Sequence, residues 1–320
     1  MLVEKHGMKS FIWTPDFNSI MRQIWKEKEN NNSEGKIINM GREENVVIFE
    51  NTMQLCKENE ILKTAIKNSQ KNQQVILEGA EITKVDNTLY GEPATIIVST
   101  KRTYEAASVY KGQKVAVHNF ASASNPGGGV ERGATAQEEC LCRCSTLFPC
   151  LKMPELWEQF YKPHRAAHNP IHNDDIIYTL EIVVFKSDTA NPKLLPEQDW
   201  YKVNVITCAA PNLRERPSNQ YNSGDGNKAV KITDKALKEI HEKRLKRILD
   251  VAYQNGNEVV ILGAFGCGAF ANNPNVVAMA AKEVIKEYQY KFKTIEFAVY
   301  CSPRDDSNYR IFKRILEGSK

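Results

Sequence analysis

A chain of 320 residues, 42% apolar and 26% charged, has the make-up of a soluble globular protein with room for one broad α/β domain or two smaller ones. Its net charge of +4 is too slight to mark a nucleic-acid-binding protein, yet it suits an anionic partner. No apolar run is long enough to span a membrane as a helix, and residues 1–8 lack the apolar core and cleavage site of a signal peptide.

Phe17, Ile20, Met21 and Ile24 recur at helical spacing, so an amphipathic helix is expected within residues 9–26. The polar, Asn-rich residues 27–35 read as a flexible link. Residues 42–68 read as one or two helices with Val46, Val47, Met53, Leu62 and Ile66 along the apolar stripe. Further on the pattern changes. Strands are expected at 95–99, 115–120, 203–208, 259–262 and 295–300, with shorter candidates at 176–178 and 182–185. Helices are expected over 104–110, 138–148, 232–255, 275–288 and 309–316. Apolar strands alternating with helices argue for a mainly parallel sheet covered on both faces. We therefore expect residues 1–90 to form a helical extension that packs on a catalytic domain spanning 91–320. Residues 217–227 carry many turn-forming residues and read as an exposed loop.

Chemistry concentrates in two glycine-rich loops. The strand at 115–120 feeds Asn119-Phe-Ala-Ser-Ala-Ser-Asn125-Pro-Gly127-Gly128-Gly129, where three residues without a Cβ expose bare backbone N–H donors. Gln137-Glu138-Glu139 follows after a short loop, and a carboxyl there suits protonating a leaving group or activating water. The two carboxyls diverge by about 100° on a helix, so they cannot share one task. Both could equally be ordinary acids of a helix's first turn. The second loop, Gly263-Ala-Phe-Gly266-Cys267-Gly268-Ala269-Phe270, leaves the strand at 259–262, and Asn273 and Pro274 then cap and start a helix. A strand, a glycine loop and a helix start make a cradle for phosphate. The spacing matches neither the dinucleotide-binding fingerprint nor the Walker A loop.

Other candidates carry less. His164, His168 and His172 recur every four residues and precede Asp174 and Asp175, but Pro163 and Pro170 interrupt the segment, so we read loop or surface histidines rather than a metal site. Cys140, Cys142, Cys144 and Cys150 read as small core residues, Cys267 as a small lining residue, and all eight cysteines as reduced thiols of a cytoplasmic protein.

The ordered set of both loops, Gln137-Glu138-Glu139, the strand at 203–208 with its following Ala-Ala-Pro-Asn212, and residues 295–301 resembles the microbial-type poly(ADP-ribose) glycohydrolases over about residues 42–316. The resemblance implies a macrodomain-like three-layer α/β/α sandwich with a mixed, mainly parallel sheet. It implies a hydrolase that cuts the ribose–ribose bond of poly(ADP-ribose) without metal or cofactor. By the same resemblance Glu139 is the general acid/base and Glu138 holds the substrate ribose. Asn119, Asn125, Gly127, Gly128, Gly129 and Gln137 would bind ligand on one side. Gly266, Cys267, Gly268 and Ala269 would hold the diphosphate, with Phe270 on the distal ribose and Tyr309 as a candidate adenine neighbour. ADP-ribose, its polymer or an ADP-ribosylated protein is the expected partner, with neither a membrane nor a specific nucleic acid; oligomeric state is not legible. Cleavage of another ADP-ribosyl linkage, or ADP-ribose reading without catalysis, are the alternatives; a reader has no need of the acid.

Overall fold

The computed structural model describes residues 34–82, 88–220 and 223–318, with the backbone alone for 34–40. The helix expected within 9–26 and most of the link at 27–35 lie outside them. Helix α1 (Glu34–Glu58) and helix α2 (Glu60–Lys71) part at Asn59, whose side chain caps α2 by accepting the Ile61 and Leu62 amides at 2.9 and 3.1 Å. The buried face of α1 is Ile48, Phe49, Thr52 and Cys56, while Val46 and Val47 are only half-buried. Thr52 disguised that face: its hydroxyl points inward and donates to the Arg143 carbonyl at 2.6 Å.

In chain order there follow β1 (Gln74–Ile76), β2 (Thr95–Ser99), α3 (Thr103–Ser108), β3 (Val115–Phe120), α4 (Gln137–Cys144), α5 (Leu147–Leu151), α6 (Pro154–Leu156) and α7 (Lys162–Ala167). The second half comprises β4 (Ile176–Val184), β5 (Tyr201–Cys208), α8 (Asp234–Gln254), β6 (Val259–Leu262), α9 (Pro274–Tyr288), β7 (Thr294–Ala298) and α10 (Ser307–Leu316). Among the described residues the sheet has seven strands in the order β1-β4-β5-β3-β6-β7-β2. Strand β4 runs antiparallel to β1 and β5, and the other pairings are parallel.

Alternation along each strand feeds two cores. Val115, Val117, Val203, Val205, Val259 and Ile261 meet the helices from α3 to α5 on one face. Ala116, Ile206, Val260, Leu262, Ile295 and Phe297 meet α8, α9 and α10 on the other. The expected α/β/α sandwich with a mixed, mainly parallel sheet is the fold that forms. No helix among the described residues is long and apolar enough to cross a membrane.

Two expectations are corrected and one strand is added. The single helix read over 138–148 is broken at Ser145, which is extended (φ −149°, ψ 178°) and forms a β-bridge with Val184. The two short strands read at 176–178 and 182–185 are one strand with a register shift between Thr179 and Ile182, where Glu181 takes φ 53°. Strand β1 was not anticipated, since three residues are too few to show alternation.

Parallel strands β3, β5, β6 and β7 all point their C-terminal ends the same way. Both glycine loops leave the sheet at that edge, the usual seat of ligands in open α/β sheets.

Candidate active site

Gln137 begins helix α4, and its side chain is committed to the strand beside it. Its carbonyl oxygen accepts the Phe120 amide at 2.9 Å, and its amide donates to the His118 carbonyl at 2.7 Å and to Thr103 at 3.0 Å. The start of α4 is thereby pinned to the end of β3. Glu138 and Glu139, at 2% and 7% exposure, point inward from that first turn.

The two carboxyls then part company. Glu138 accepts the Ser122 amide at 2.8 Å and the Asn119 amide side chain at 3.3 Å. Glu139 accepts the Gly129 amide at 2.9 Å with one oxygen, while its other oxygen is buried without a hydrogen-bond partner. Asn119 is fully buried and also donates to Thr207 at 3.2 Å, so it supports Glu138 from beneath. The triple glycine is shaped by these acids. Gly127 and Gly128 have φ of 67° and 60°, and a Cβ on Gly128 would strike the Glu139 carboxylate. A Cβ on Gly127 would stand 2.6 Å from the Phe148 ring.

A helix start ordinarily favours carboxylate anions, by at most about 1 kcal/mol at exposed sites. Here burial outweighs it. Glu138 is pushed from 4.5 up to about 8, first by burial and then by the neighbouring Glu139. Glu139 is also raised, by burial, against the lowering hydrogen bond from the Gly129 amide. The raised Glu138 value makes a stability prediction. The unfolded chain releases this proton near pH 4.5 and the folded protein near 8, so the stabilising contribution is complete below 4.5 and lost as pH rises to 8. Glu138→Gln is expected to flatten the fall in melting temperature across that window. A fall as steep as wild type's would show that Glu138 ionises in the fold as it does unfolded.

The second loop closes the opposite wall. Gly266 takes φ 76° with Ala210 and Asn272 so near that a Cβ would stand 2.7 and 2.9 Å from them. Asn272 locks this turn, donating to the Pro211 and Phe270 carbonyls at 2.6 and 3.1 Å and contacting buried His241 at 2.8 Å. Asn273 caps α9 by accepting the Asn275 amide at 3.1 Å, with Pro274 in the first turn, as the sequence indicated. Between the start of α4 and the second loop lies a cavity of about 450 Å³. Gln137, Gly266, Gly268, Ala269 and Phe270 line it. Glu138, Glu139, Asn119, Asn125, Cys267 and the triple glycine lie outside that lining. Nothing stands within 4 Å of a Cβ placed on Gly268, so a side chain there would enter open space.

Sequence reading missed part of the cavity lining. Arg102, Asp188, Tyr300 and Asn308 line the cavity, with the Arg102 guanidinium 3.9 Å over the Tyr300 ring. These residues come from four separate segments and carry no shared local pattern. Tyr309 lines a smaller adjoining hollow of about 160 Å³, to which Tyr300 and Asn308 also belong.

The histidine reading is corrected in part. His164 and His172 are buried with rings 6.2 Å apart, whereas His168 is exposed at the end of α7 with φ 47°. Each faces an acid: His164 lies 3.7 Å from Asp175 and His172 3.3 Å from Asp225. Among the described residues no cluster of three or more His, Cys, Asp or Glu has the arrangement of a metal site. Cys142, Cys144 and Cys150 are fully buried core residues, and Cys140 is partly exposed in the cavity wall. The loop at 217–227 is also corrected, because Asp225 is 1% exposed and accepts from Ser124 at 3.0 Å and Asn212 at 2.8 Å.

Comparison with known proteins bears on this geometry. A family model described as microbial-type PARG, catalytic domain, matches residues 33–187. Poly(ADP-ribose) glycohydrolase from Thermomonospora curvata is 26% identical with a TM-score of 0.70, over 85% of this chain and 98% of that one. Its complex with the inhibitor ADP-HPD gives 27% identity and 0.68, over 84% and 98%. The Deinococcus radiodurans poly(ADP-ribose) glycohydrolase in complex with ADP-ribose is 30% identical with a TM-score of 0.65, over 79% of this chain and 96% of that one. No curated protein matches the chain.

Proposed function

The chain belongs to the microbial-type poly(ADP-ribose) glycohydrolase family, and from that premise we propose that it hydrolyses the ribose–ribose O-glycosidic bond of poly(ADP-ribose) and releases ADP-ribose. One observation carries the reading: a buried carboxyl pair with raised proton affinity sits against a triple glycine, beside a cavity whose far wall is a glycine loop at a helix start.

In this scheme Glu139 reaches the bond as a protonated acid and gives its proton to the leaving 2′-oxygen. As a carboxylate it then takes a proton from the attacking water. Its partnerless oxygen is the atom for both transfers, since the other is held by the Gly129 amide. Glu138 orients the substrate ribose, and Asn119 sets Glu138. No second catalytic carboxyl is needed if the substrate's own phosphate steadies the oxocarbenium-like centre, a departure from the two-carboxyl scheme of most glycosidases.

The rest of the ligand follows the cavity. The backbone of Gly266, Gly268 and Ala269, beside the start of α9, receives the diphosphate, where a glycine loop at a helix start favours anions. Phe270 covers the distal ribose, Asn125 and Gly127–Gly129 close on the scissile side, and Tyr300 with Tyr309 flanks the adenine. The partner is thus the polymer or an ADP-ribosylated protein, met in the cytoplasm. We read the described part of the expected 1–90 extension, residues 34–82, as packed on the catalytic domain of 91–320, with β1 adding an edge strand to its sheet.

Ligand binding tests the cavity. ADP-ribose is expected to raise the melting temperature by mass action. Gly268→Phe should erase that shift without lowering the ligand-free melting temperature, because the ring enters open space. An undiminished shift in the variant would place the phosphate site elsewhere.

A further inference from the structure

We propose that Arg165 is a positioning residue of this hydrolase, holding Asn125 at the head of the triple-glycine loop, with residues 223–226 as the buttress it works through. The proposal rests on reading that loop as substrate-binding. Neither Arg165 nor the loop at 217–227 was given a functional role from the sequence, and the fold brings them together against this loop.

The Arg165 guanidinium forks. One amino group donates to the Asn125 side-chain oxygen at 3.0 Å and the other to the Ser223 hydroxyl at 3.1 Å. Asn125 in turn donates from its side chain to the Ser223 carbonyl at 3.1 Å, and its own carbonyl accepts the Gly128 amide at 2.9 Å. Displacement of Asn125 is therefore passed directly to Gly128, within the loop read as substrate-binding. A planar two-pronged donor suits this task, and a lysine's single ammonium head does not reproduce it.

The buttress is built to lie flush. Gly224 takes φ 123°, and a Cβ there would stand 2.7 Å from Ser124 and 2.8 Å from Arg165. Gly226 takes φ 76°, with the His168 carbonyl 2.8 Å from where its Cβ would be. Between them, buried Asp225 accepts from Ser124 and Asn212 and faces His172 at 3.3 Å. Arg214, which donates to the Pro217 carbonyl at 2.5 Å, lies 5.4 Å over the Phe270 ring. The two ligand loops are thus tied to a common support.

Steady-state kinetics on poly(ADP-ribose) with Arg165→Met, Arg165→Lys and Ser223→Ala test this. Arg165→Met is expected to raise KM about tenfold or more with kcat within about threefold, since the acid is untouched and substrate placement is lost. The ligand-free melting temperature should stay near that of wild type, the lysine variant should recover little, and Ser223→Ala should raise KM more modestly. Unchanged KM in Arg165→Met, or a kcat loss at unchanged KM, overturns the proposal. Should Arg165→Met fail to fold, Ser223→Ala decides: raised KM supports the proposal and wild-type KM overturns it. If wild type itself does not cleave polymer, the functional reading fails, and ADP-ribose affinity of the same variants decides the positioning role by the same criteria.

Discussion

Glu139→Gln is expected to abolish ADP-ribose release from poly(ADP-ribose), lowering kcat by about 10²–10⁴-fold, the range that general acid–base catalysis supplies. Glutamine keeps the size of the side chain and can still accept the Gly129 amide, so the loop should hold its shape. What it cannot do is give up a proton and take one back. ADP-ribose affinity should therefore stay within about tenfold of wild type, or roughly 1.4 kcal/mol. Turnover at the wild-type rate would exclude Glu139 as the acid/base.

A second large effect is expected at Gly128→Ala, one methyl group with no chemistry of its own. The residue has φ 60°, which an L side chain adopts only at a cost of about 1–3 kcal/mol. The larger consequence is local. The new Cβ would occupy the space of the Glu139 carboxylate and stand 3.2 Å from Glu138, so one or both acids must move. Misplacing a reacting group by about an ångström costs on the order of 10²-fold in rate. We expect kcat to fall by that order or more, with folding retained at a lower melting temperature. Wild-type kcat in a folded Gly128→Ala enzyme would mean that the acids do not act from the position described.

The parts of this site legible in the sequence are those whose chemistry is local. Three consecutive glycines, two adjacent acids, and the cap and proline before α9 each announce themselves within a few residues. Strands 95–99, 115–120 and 259–262 were legible for the same reason, as their apolar runs carry their own burial. What was hidden depends on contacts between distant segments. Ser145 leaves the helix because Val184 pairs with it, and nothing around Ser145 foretells that bridge. His164 and His172 read as loop residues beside prolines, yet are buried, and Asp225, which faces His172, comes from a distant loop. Arg102 and Tyr300 meet only because β2 and β7 are neighbours in the sheet. Likewise the turn-rich loop at 217–227 holds a buried carboxylate, and composition alone made it an exposed connection.

Product analysis with purified poly(ADP-ribose) tests the central claim most directly, with mono-ADP-ribosylated protein assayed beside it. Wild-type enzyme is expected to release free ADP-ribose from the polymer, faster than from the mono-modified protein, and Glu139→Gln to release none while still binding the nucleotide. Binding of ADP-ribose by wild type with no release from the polymer would contradict the account, and cleavage confined to the mono-modified protein would contradict the choice of bond.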